Sequence, residues 1–289
     1  MSGFESRWLE LREPADKRAR AASAMEAMLP IDVTEAPMRI LDLGAGTGAN
    51  LRFLAPRLGG RQEWLLVDAD RRLLDAVAPA MEAWAARTGY RLRRGTESTS
   101  IECAGFQCRV RTLELDMAAR LADLPIEGQR MVTASALLDL VSESWAEGLL
   151  RRCRAAGTDV LFALTYDGRM AFEPVLSDDA LVLDFVNRHQ RSDKGFGPAM
   201  GPSASERIHA MLVGHGYRVE SRSSDWRIDA DEAGLQTELI EGLAAAAAAI
   251  EPGSEARLSA WCRRRLEFIK LGTSRVTVGH QDLLGCLVP

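Results

Sequence analysis

The sequence lacks several features that mark large classes of proteins. It has no uninterrupted apolar run of about 18 residues, so no membrane span and no membrane partner are expected. Its five cysteines are odd in number and show no paired C-x-x-C spacing, and its first residues contain no apolar signal core. These absences predict a reduced, cytoplasmic protein.

Positive charge is also in deficit. The chain has 36 Lys and Arg against 41 Asp and Glu, which gives a formal net charge of −5. Nucleic acid is therefore a disfavoured partner, although a local basic patch, for example around Arg18, Arg191 and Lys194, would revive it. The four histidines form no H-E-x-x-H motif and no Cys/His cluster, so no metal is expected.

The chain does contain a glycine-rich loop between an apolar strand and a helix. Residues 40–50 read Ile-Leu-Asp-Leu-Gly-Ala-Gly-Thr-Gly-Ala-Asn, with glycines at alternate positions. Glycine tolerates positive φ and lets the backbone approach a ligand closely, and the helix that follows presents unpaired N–H groups. The pattern predicts a nucleotide-binding loop.

Two ligands fit such a loop, a dinucleotide and S-adenosylmethionine (SAM). Gly44, Gly46 and Ala49 satisfy the dinucleotide pattern, which is a weak signal by itself. Asp42 favours SAM, because a pyrophosphate gains nothing from a nearby carboxylate, whereas a carboxylate can hold the α-ammonium of SAM directly or through water.

Two further carboxylates end predicted strands. Asp68 ends the apolar run 64–68, twenty residues after Gly48, where a ribose diol would be bound. Asp116 ends the run 110–116 and suits the exocyclic amine of adenine, with Leu115 and Met117 placed to sandwich the ring. Three strand ends thus point at one ligand.

With these residues the chain resembles the class I SAM-dependent methyltransferases. Residues 42–48 match the D/E-x-G-x-G-x-G motif of that family, and Asp68 and Asp116 match the acids after its second and third strands. The resemblance covers residues 38–165 and implies an α/β fold with a seven-stranded, mostly parallel, doubly wound sheet and a reversed final strand. It also implies SAM as cofactor, held by Asp42, Gly44, Ala45, Gly46, Gly48, Asn50, Asp68, Ala69, Asp116, Met117 and Ser135.

The predicted elements form a single domain over residues 1–289. Residues 1–37 are expected to be a helical lid or flank, with helix over residues 4–29 and Pro14 as a break or a first helical residue. Strands are expected at 39–43, 64–67, 108–115, 131–135, 159–164, 217–222 and within 276–287, and helices at 50–58, 71–88, 145–155, 243–250 and 256–270. The long connections 165–214 and 229–272 are insertions expected to shape the acceptor site.

Three side chains are candidates for catalysis and three for binding the acceptor. Asp139, after the fourth strand, either orients and deprotonates an acceptor or caps the next helix. His189 lies in a polar segment, residues 187–198, that either faces the acceptor or is simply solvated, and Tyr166 either touches the acceptor or packs. The binding candidates are the cations Arg12, Arg191 and Lys194. His280 faces the cleft or pairs locally.

The predicted activity is methyl transfer from SAM to an oxygen or nitrogen, less readily a carbon, of a small and possibly anionic metabolite by a monomer or homodimer. Three alternatives stay open. They are a protein or RNA methyltransferase, an NAD-dependent oxidoreductase that uses the same loop, and a non-catalytic binding module with the SAM fold.

Overall fold

The chain folds around one mixed sheet, which a computed structural model describes for residues 6–29, 36–96 and 98–287. Phe4, the expected start of the first helix, and the other residues of the 1–37 flank at 1–5 and 30–35 lie outside the described residues. No helix within the described ranges combines the length and apolarity needed to cross a membrane.

Seven strands make up the centre of the sheet. They are β1 (Met38–Leu43), β2 (Gly60–Asp68), β5 (Phe106–Glu114), β6 (Met131–Ser135), β7 (Asp159–Glu173), β8 (Tyr217–Ser223) and β10 (Arg275–Leu287). Their spatial order is β5-β2-β1-β6-β7-β10-β8. The first five are parallel, and β10 runs antiparallel to both β7 and β8. The predicted seven-stranded, mostly parallel sheet with a reversed final strand is confirmed.

Three short strands extend this sheet beyond the prediction. A hairpin of β3 (Arg91–Arg94) and β4 (Thr99–Glu102) pairs with the outer edge of β5. At the other end, β9 (Trp226–Ile228) pairs with β10. The hairpin sequence is rich in arginine and serine rather than apolar residues, which is why its pattern did not predict strands.

Nine described helices surround the sheet. They are α1 (Ser6–Ser23), α2 (Ala49–Leu58), α3 (Arg71–Asp75), α4 (Val77–Thr88), α5 (Glu143–Ala155), α6 (Asp179–Gln190), α7 (Ala204–Gly214), α8 (Ala233–Ile250) and α9 (Glu255–Lys270). Pro14 lies inside α1, so the break expected there is wrong. The stretch 71–88 is divided at Ala76 into α3 and α4.

Two apolar clusters fill the two faces of the sheet, and a third lies beyond its carboxyl edge. Whereas β6 ends opposite Ala163, β7 continues to Glu173 and pairs there with the start of β10. On this extension α1, α6, α8 and α9 pack through Tyr166, Phe185, Trp226 and Trp261, among others. We call this assembly the cap. Arg265, fully buried, joins two of its helices through Asp179 and also donates to the carbonyl of Pro174.

Candidate active site

The glycine-rich loop connects β1 to α2 at the carboxyl edge of the sheet. Gly44, Gly46 and Gly48 have φ angles of 61°, 53° and 82°, in the left-handed region where a Cβ would be strained. Gly48 is the N-cap of α2, and the backbone N–H of Ala45 donates to the carbonyl of Val67 at the end of β2. The loop is therefore anchored at the point where the two central strands end.

Asp68 is placed beside this loop, as predicted from its position at the end of β2. Its Oδ2 accepts a hydrogen bond of 2.9 Å from the N–H of Gly46, and its Oδ1 accepts one of 2.9 Å from the N–H of Asp70. Asp70 itself accepts from Arg72 N as the N-cap of α3. The carboxylate of Asp68 thus fixes the loop, and each of its oxygens has a further lone pair available for a hydroxyl donor.

Asp42 lies beneath the loop rather than on its outer surface. It is fully buried, its Oδ1 accepts a 2.6 Å bond from Asn50 Nδ2, and its Oδ2 has no hydrogen-bond partner among the described residues. Burial raises the pKa of Asp42 to about 7, against the opposing effects of Asn50 and the nearby Arg20. Arg20 reaches from α1 to Asn50 Oδ1 at 2.8 Å. Asn50 also donates to Thr133, so its side-chain groups are all engaged within the protein.

Two leucine side chains cover the outer surface of the loop. A Cβ built at Gly44 would lie 3.3 Å from Leu137 Cδ1, and one built at Gly46 would lie 3.3 Å from Leu9 Cδ1. Leu9 belongs to α1, which is also attached through Glu13 to Arg52 of α2 by hydrogen bonds of 3.0 and 2.6 Å. The N-terminal helix therefore lies directly on the glycine loop.

We expect Glu13→Gln to lower the free energy of unfolding at pH 7 by about 1–2 kcal/mol, because a charge-assisted pair with the buried Arg52 is lost. Burial alone would raise the pKa of Glu13, but Arg52 and Lys17 outweigh it and lower the pKa to about 2. The stabilisation is complete above the unfolded value near 4.5 and is lost as pH falls towards 2. Urea unfolding of both proteins at pH 7 and pH 3 measures this. A difference that does not shrink at pH 3 would contradict the ion pair.

The predicted adenine side of the site is only partly realised. Asp116 is exposed, and its Oδ1 accepts from the N–H groups of Ala118 and Ala119. Leu115 and Met117 are 4% exposed and pack in the core, and the Met117 carbonyl accepts from Trp145 Nε1. In this conformation their side chains do not form the two walls of a ring-binding slot.

Ala69 and Ser135 are half-buried at the ends of β2 and β6. Beside Ser135, Ala136 has a φ of 54°, and so has Leu164 in the neighbouring strand β7. Positive φ in residues that carry a Cβ is strained by about 1–3 kcal/mol and is concentrated at functional sites. Both strained residues lie at the carboxyl edge, where the acceptor was expected.

Asp139 and Tyr166 are brought together at this edge. Asp139 is 6% exposed, and burial raises its pKa to about 6 against backbone hydrogen bonds, one of them from Tyr166, and the charge of Arg12. The alternative that Asp139 caps the next helix is wrong, because Ser142 is the N-cap of α5 and accepts from Trp145 N. Tyr166 donates its hydroxyl to Asn187 Oδ1 at 2.8 Å, and burial raises its pKa.

His189 lies on α6 rather than in a loop. It follows Asn187 by two residues, which places the two side chains on nearly opposite sides of the helix, and Asn187 is the one that contacts Tyr166. Lys194 Nζ lies 3.3 Å from His189 Nδ1, and burial together with Lys194 lowers the pKa of His189. Arg191 lies one turn after Asn187, and its positive charge opposes the effect of burial on the pKa of Tyr166. The structure thus separates His189 and Lys194 from the pair Asp139 and Tyr166.

Three further residues, His280, Trp226 and Arg12, lie near Asp139 and Tyr166. The sequence did not group them. His280 of β10 is buried, and its ring centroid lies 5.1 Å from that of Trp226 and 6.3 Å from that of Tyr166. Its Nδ1 has no hydrogen-bond partner in the described chain, and burial followed by the charge of Arg12 lowers its pKa to about 3. Arg12 stacks over Trp226 at 5.1 Å and pairs with Asp16. No sequence signal links residues this far apart.

Comparison with solved structures supports the topology described above. A cyclopropane-fatty-acyl-phospholipid synthase-like protein from Lactobacillus casei aligns with a TM-score of 0.53 at 12% identity, over 98% of this chain and 94% of that chain. The fold is that of the class I methyltransferases. No protein-family model and no curated protein matches the sequence.

Two further solved structures align with this chain at lower TM-scores. The cyclopropane synthase MmaA2 from Mycobacterium tuberculosis has a TM-score of 0.46 at 13% identity over 93% of this chain and 82% of its own. A phosphoethanolamine N-methyltransferase from Haemonchus contortus has a TM-score of 0.41 at 13% identity over 99% of this chain, which spans only 61% of that protein.

Within the described residues, no group of three or more His, Cys, Asp or Glu could hold a metal ion.

Proposed function

We propose that this protein is a SAM-dependent methyltransferase that transfers a methyl group to an oxygen or nitrogen of a small, anionic acceptor. The observation that carries the proposal is the loop 44–48, with three glycines at positive φ and a hydrogen bond to Asp68, at the carboxyl edge of a class I methyltransferase sheet. Parallel sheets of this kind bind nucleotides at the carboxyl edge.

The residues present fit SAM. A Cβ at Gly44 would meet only the flexible side chain of Leu137, and one at Gly46 only that of Leu9. Asp68, beside the loop, would bind the ribose diol. Asp116 at the end of β5 and the half-buried Ala69 and Ser135 complete the predicted set. SAM would supply an already activated methyl group on a positively charged sulfur. The buried Asp42 would act on it indirectly, by holding Asn50 at the start of α2.

The acceptor would lie between Asp139, Tyr166 and Arg12. Asp139 has a pKa near neutrality, which suits a group that removes a proton from a hydroxyl or amine during transfer. Arg12, and Arg191 on the Asn187 side of α6, would bind an anionic group of the acceptor. The cap, which includes parts of both predicted insertions, would exclude water, and alignment with water exclusion can supply about 7–11 kcal/mol of barrier reduction.

The proposal assigns α1 the role of a lid over donor and acceptor, supported by the contact of Leu9 with Gly46 and of Arg12 with Trp226. It also locates the enzyme in the reduced cytoplasm, supported by five cysteines that are all free thiols.

We expect isothermal titration calorimetry to show saturable SAM binding and no binding of NAD. The physical reason is the buried Asp42 beneath the loop, which disfavours a pyrophosphate there, whereas Asp68 would bind the ribose of either ligand. The product, S-adenosylhomocysteine, is the matched control, because it retains the nucleoside and should bind as well. Heat of binding with NAD alone would establish the oxidoreductase alternative instead. SAM binding without methylation of any component of a metabolite extract would favour the non-catalytic module.

A further inference from the structure

The end of the sheet formed by β3, β4 and β5 leaves one of its faces open to solvent. Between β5 and β6 the chain makes only a short 3-10 turn, Leu121–Asp123, instead of a full helix. On the other face, Leu92, Ile101 and Cys108 pack in an apolar cluster. The alternate residues therefore point outward. We define the open face by Arg91, Arg93, Ser100, Gln107, Arg109 and Arg111.

The open face concentrates positive charge that is not neutralised within the described chain. Arg93 is in register with Ser100, and Ser100 with Arg109, while Arg111 follows two residues further along β5. The side chains of the arginines at 91, 93, 109 and 111 are exposed and form no ion pair or hydrogen bond with any described residue. Arg91 and Arg93 on β3 lie across β4 from Arg109 and Arg111 on β5, so the four arginines share one side of the sheet. Their clustering in a chain of net charge −5 is not explained by any ion pair of the described residues.

Two carboxylates, Glu63 and Glu102, lie on the same side of the sheet as the four arginines. Glu63 pairs with Arg109 in register, but its carboxylate is 3.4 Å from Arg39. Glu102 lies opposite Arg91 and Gln107, so one carboxylate that is not held by another arginine faces the four arginines of the open face, which keeps a net positive charge. Two shallow clefts run along the face; Arg109 and Glu63 line both, and Arg111 and Ser98 line one of them.

We propose that the open face binds the phosphodiester backbone of nucleic acid. A protein partner would need aromatic or aliphatic anchors at the centre of the contact, and the six residues that define the face include none. Stacking of unpaired bases would need aromatic rings, which are equally missing from those six. Arginine, serine and glutamine are the side chains that contact phosphate and sugar, and arginine charge alone gives sequence-independent affinity.

The open face is separate from the glycine loop. Arg109 and Arg111 precede the carboxyl end of β5 by five and three residues, about 17 and 10 Å along a strand. Binding there leaves the loop 44–48 accessible, so the inference does not depend on the proposed methyltransferase activity. The acidic balance of the whole chain disfavoured nucleic acid in the sequence analysis, and the fold is what places these arginines, from the consecutive strands β3 to β5, on one side of the sheet.

The test is fluorescence anisotropy with a labelled 20-nucleotide oligouridylate, titrated at several salt concentrations. The quadruple variant R91Q/R93Q/R109Q/R111Q should bind at least tenfold more weakly than the wild type at low salt. The slope of log affinity against log salt should fall in magnitude by about 3, because each phosphate contact contributes about 0.7 on a single strand. The matched control is R87Q/R151Q/R154Q/R263Q, which removes the same charge from exposed arginines elsewhere and should keep the wild-type slope.

Each outcome decides the proposal. Wild-type affinity in the quadruple variant, or an equal loss in the control, overturns it. Equal binding of a 20-residue polyglutamate overturns the assignment to a phosphodiester, whereas equal binding of oligothymidylate supports backbone recognition. If the quadruple variant does not fold, the corresponding four-lysine variant must retain binding. Amide shifts of the wild-type protein on titration must then also be confined to β2–β5, and shifts elsewhere overturn the proposal.

Discussion

Replacing Asp139 by asparagine is expected to lower turnover by about 10²–10⁴-fold and to leave SAM affinity unchanged. The carboxyl is buried at the end of β6, receives a backbone hydrogen bond from Tyr166, and has a pKa of about 6. Asparagine preserves the shape but cannot accept a proton. The acceptor is first identified by mass from a metabolite extract incubated with labelled SAM, and kcat and KM are then measured for both proteins.

The pH profile gives the same assignment an independent check. The activity of the wild type should rise as pH increases through about 6, because Asp139 must be ionised to accept a proton. Ionisation of Asp139 should raise activity but lower the free energy of unfolding. A carboxyl whose pKa is raised by folding destabilises the fold as pH rises from about 4 to 6, so Asp139→Asn should be at least as stable as the wild type at pH 7.

The matched control for Asp139 is His189→Asn. The helix places His189 away from Tyr166, and we expect its replacement to change turnover by less than about threefold. A loss of turnover in the His189 variant equal to that in the Asp139 variant would show that α6 presents a different side to the acceptor. An unchanged rate in Asp139→Asn would remove Asp139 from the reaction altogether.

Asp68→Ala is expected to weaken SAM binding by about 10- to 100-fold. Hydrogen bonds from a ribose to a charged carboxylate contribute about 1.5–3 kcal/mol, and the alanine also releases the N–H of Gly46 from its 2.9 Å bond. Calorimetry with SAM measures the affinity, and a thermal melt without ligand measures the fold. The thermal melt should change little, because Asp68 is only half-buried.

Asp70→Ala provides the comparison for Asp68. Asp70 caps α3 and pairs with Arg72, so its loss should lower stability by about 0.5–2 kcal/mol without changing SAM affinity. Asp68→Ala should therefore lower SAM affinity and change stability little, whereas Asp70→Ala should lower stability and leave SAM affinity unchanged. SAM affinity that is unchanged in Asp68→Ala would contradict the ribose assignment, and an equal loss in both variants would indicate a general disturbance of the loop.

The glycine loop and the position of Asp68 beside it could be predicted because their signals are local. A glycine triplet, an apolar strand and an acid at the next strand end are all encoded within about thirty residues, and the fold places Gly46 and Asp68 within hydrogen-bond distance. The same logic failed for Leu115 and Met117. Alternation along a strand does not reveal how far the core extends, and both side chains pack in that core.

The proposed acceptor side depends on contacts that no local pattern contains. His280 meets Tyr166 only because β10 pairs with the extension of β7, more than a hundred residues earlier in the chain. The orientation of His189 could not be predicted while residues 187–198 were read as a loop, because only a helix fixes which side a residue faces. Pro14 does not interrupt α1, since contacts on both sides of it, at Leu9 and Arg20, hold the helix in place.

The position of α1 has a kinetic consequence. Leu9 rests on the glycine loop and Arg12 rests on Trp226, so one helix closes over the two halves of the proposed site. In a methyltransferase built this way, the reactants cannot exchange independently. Steady-state analysis should give the product-inhibition pattern of a compulsory-order mechanism, and a viscous solvent should slow turnover if displacement of that helix limits release.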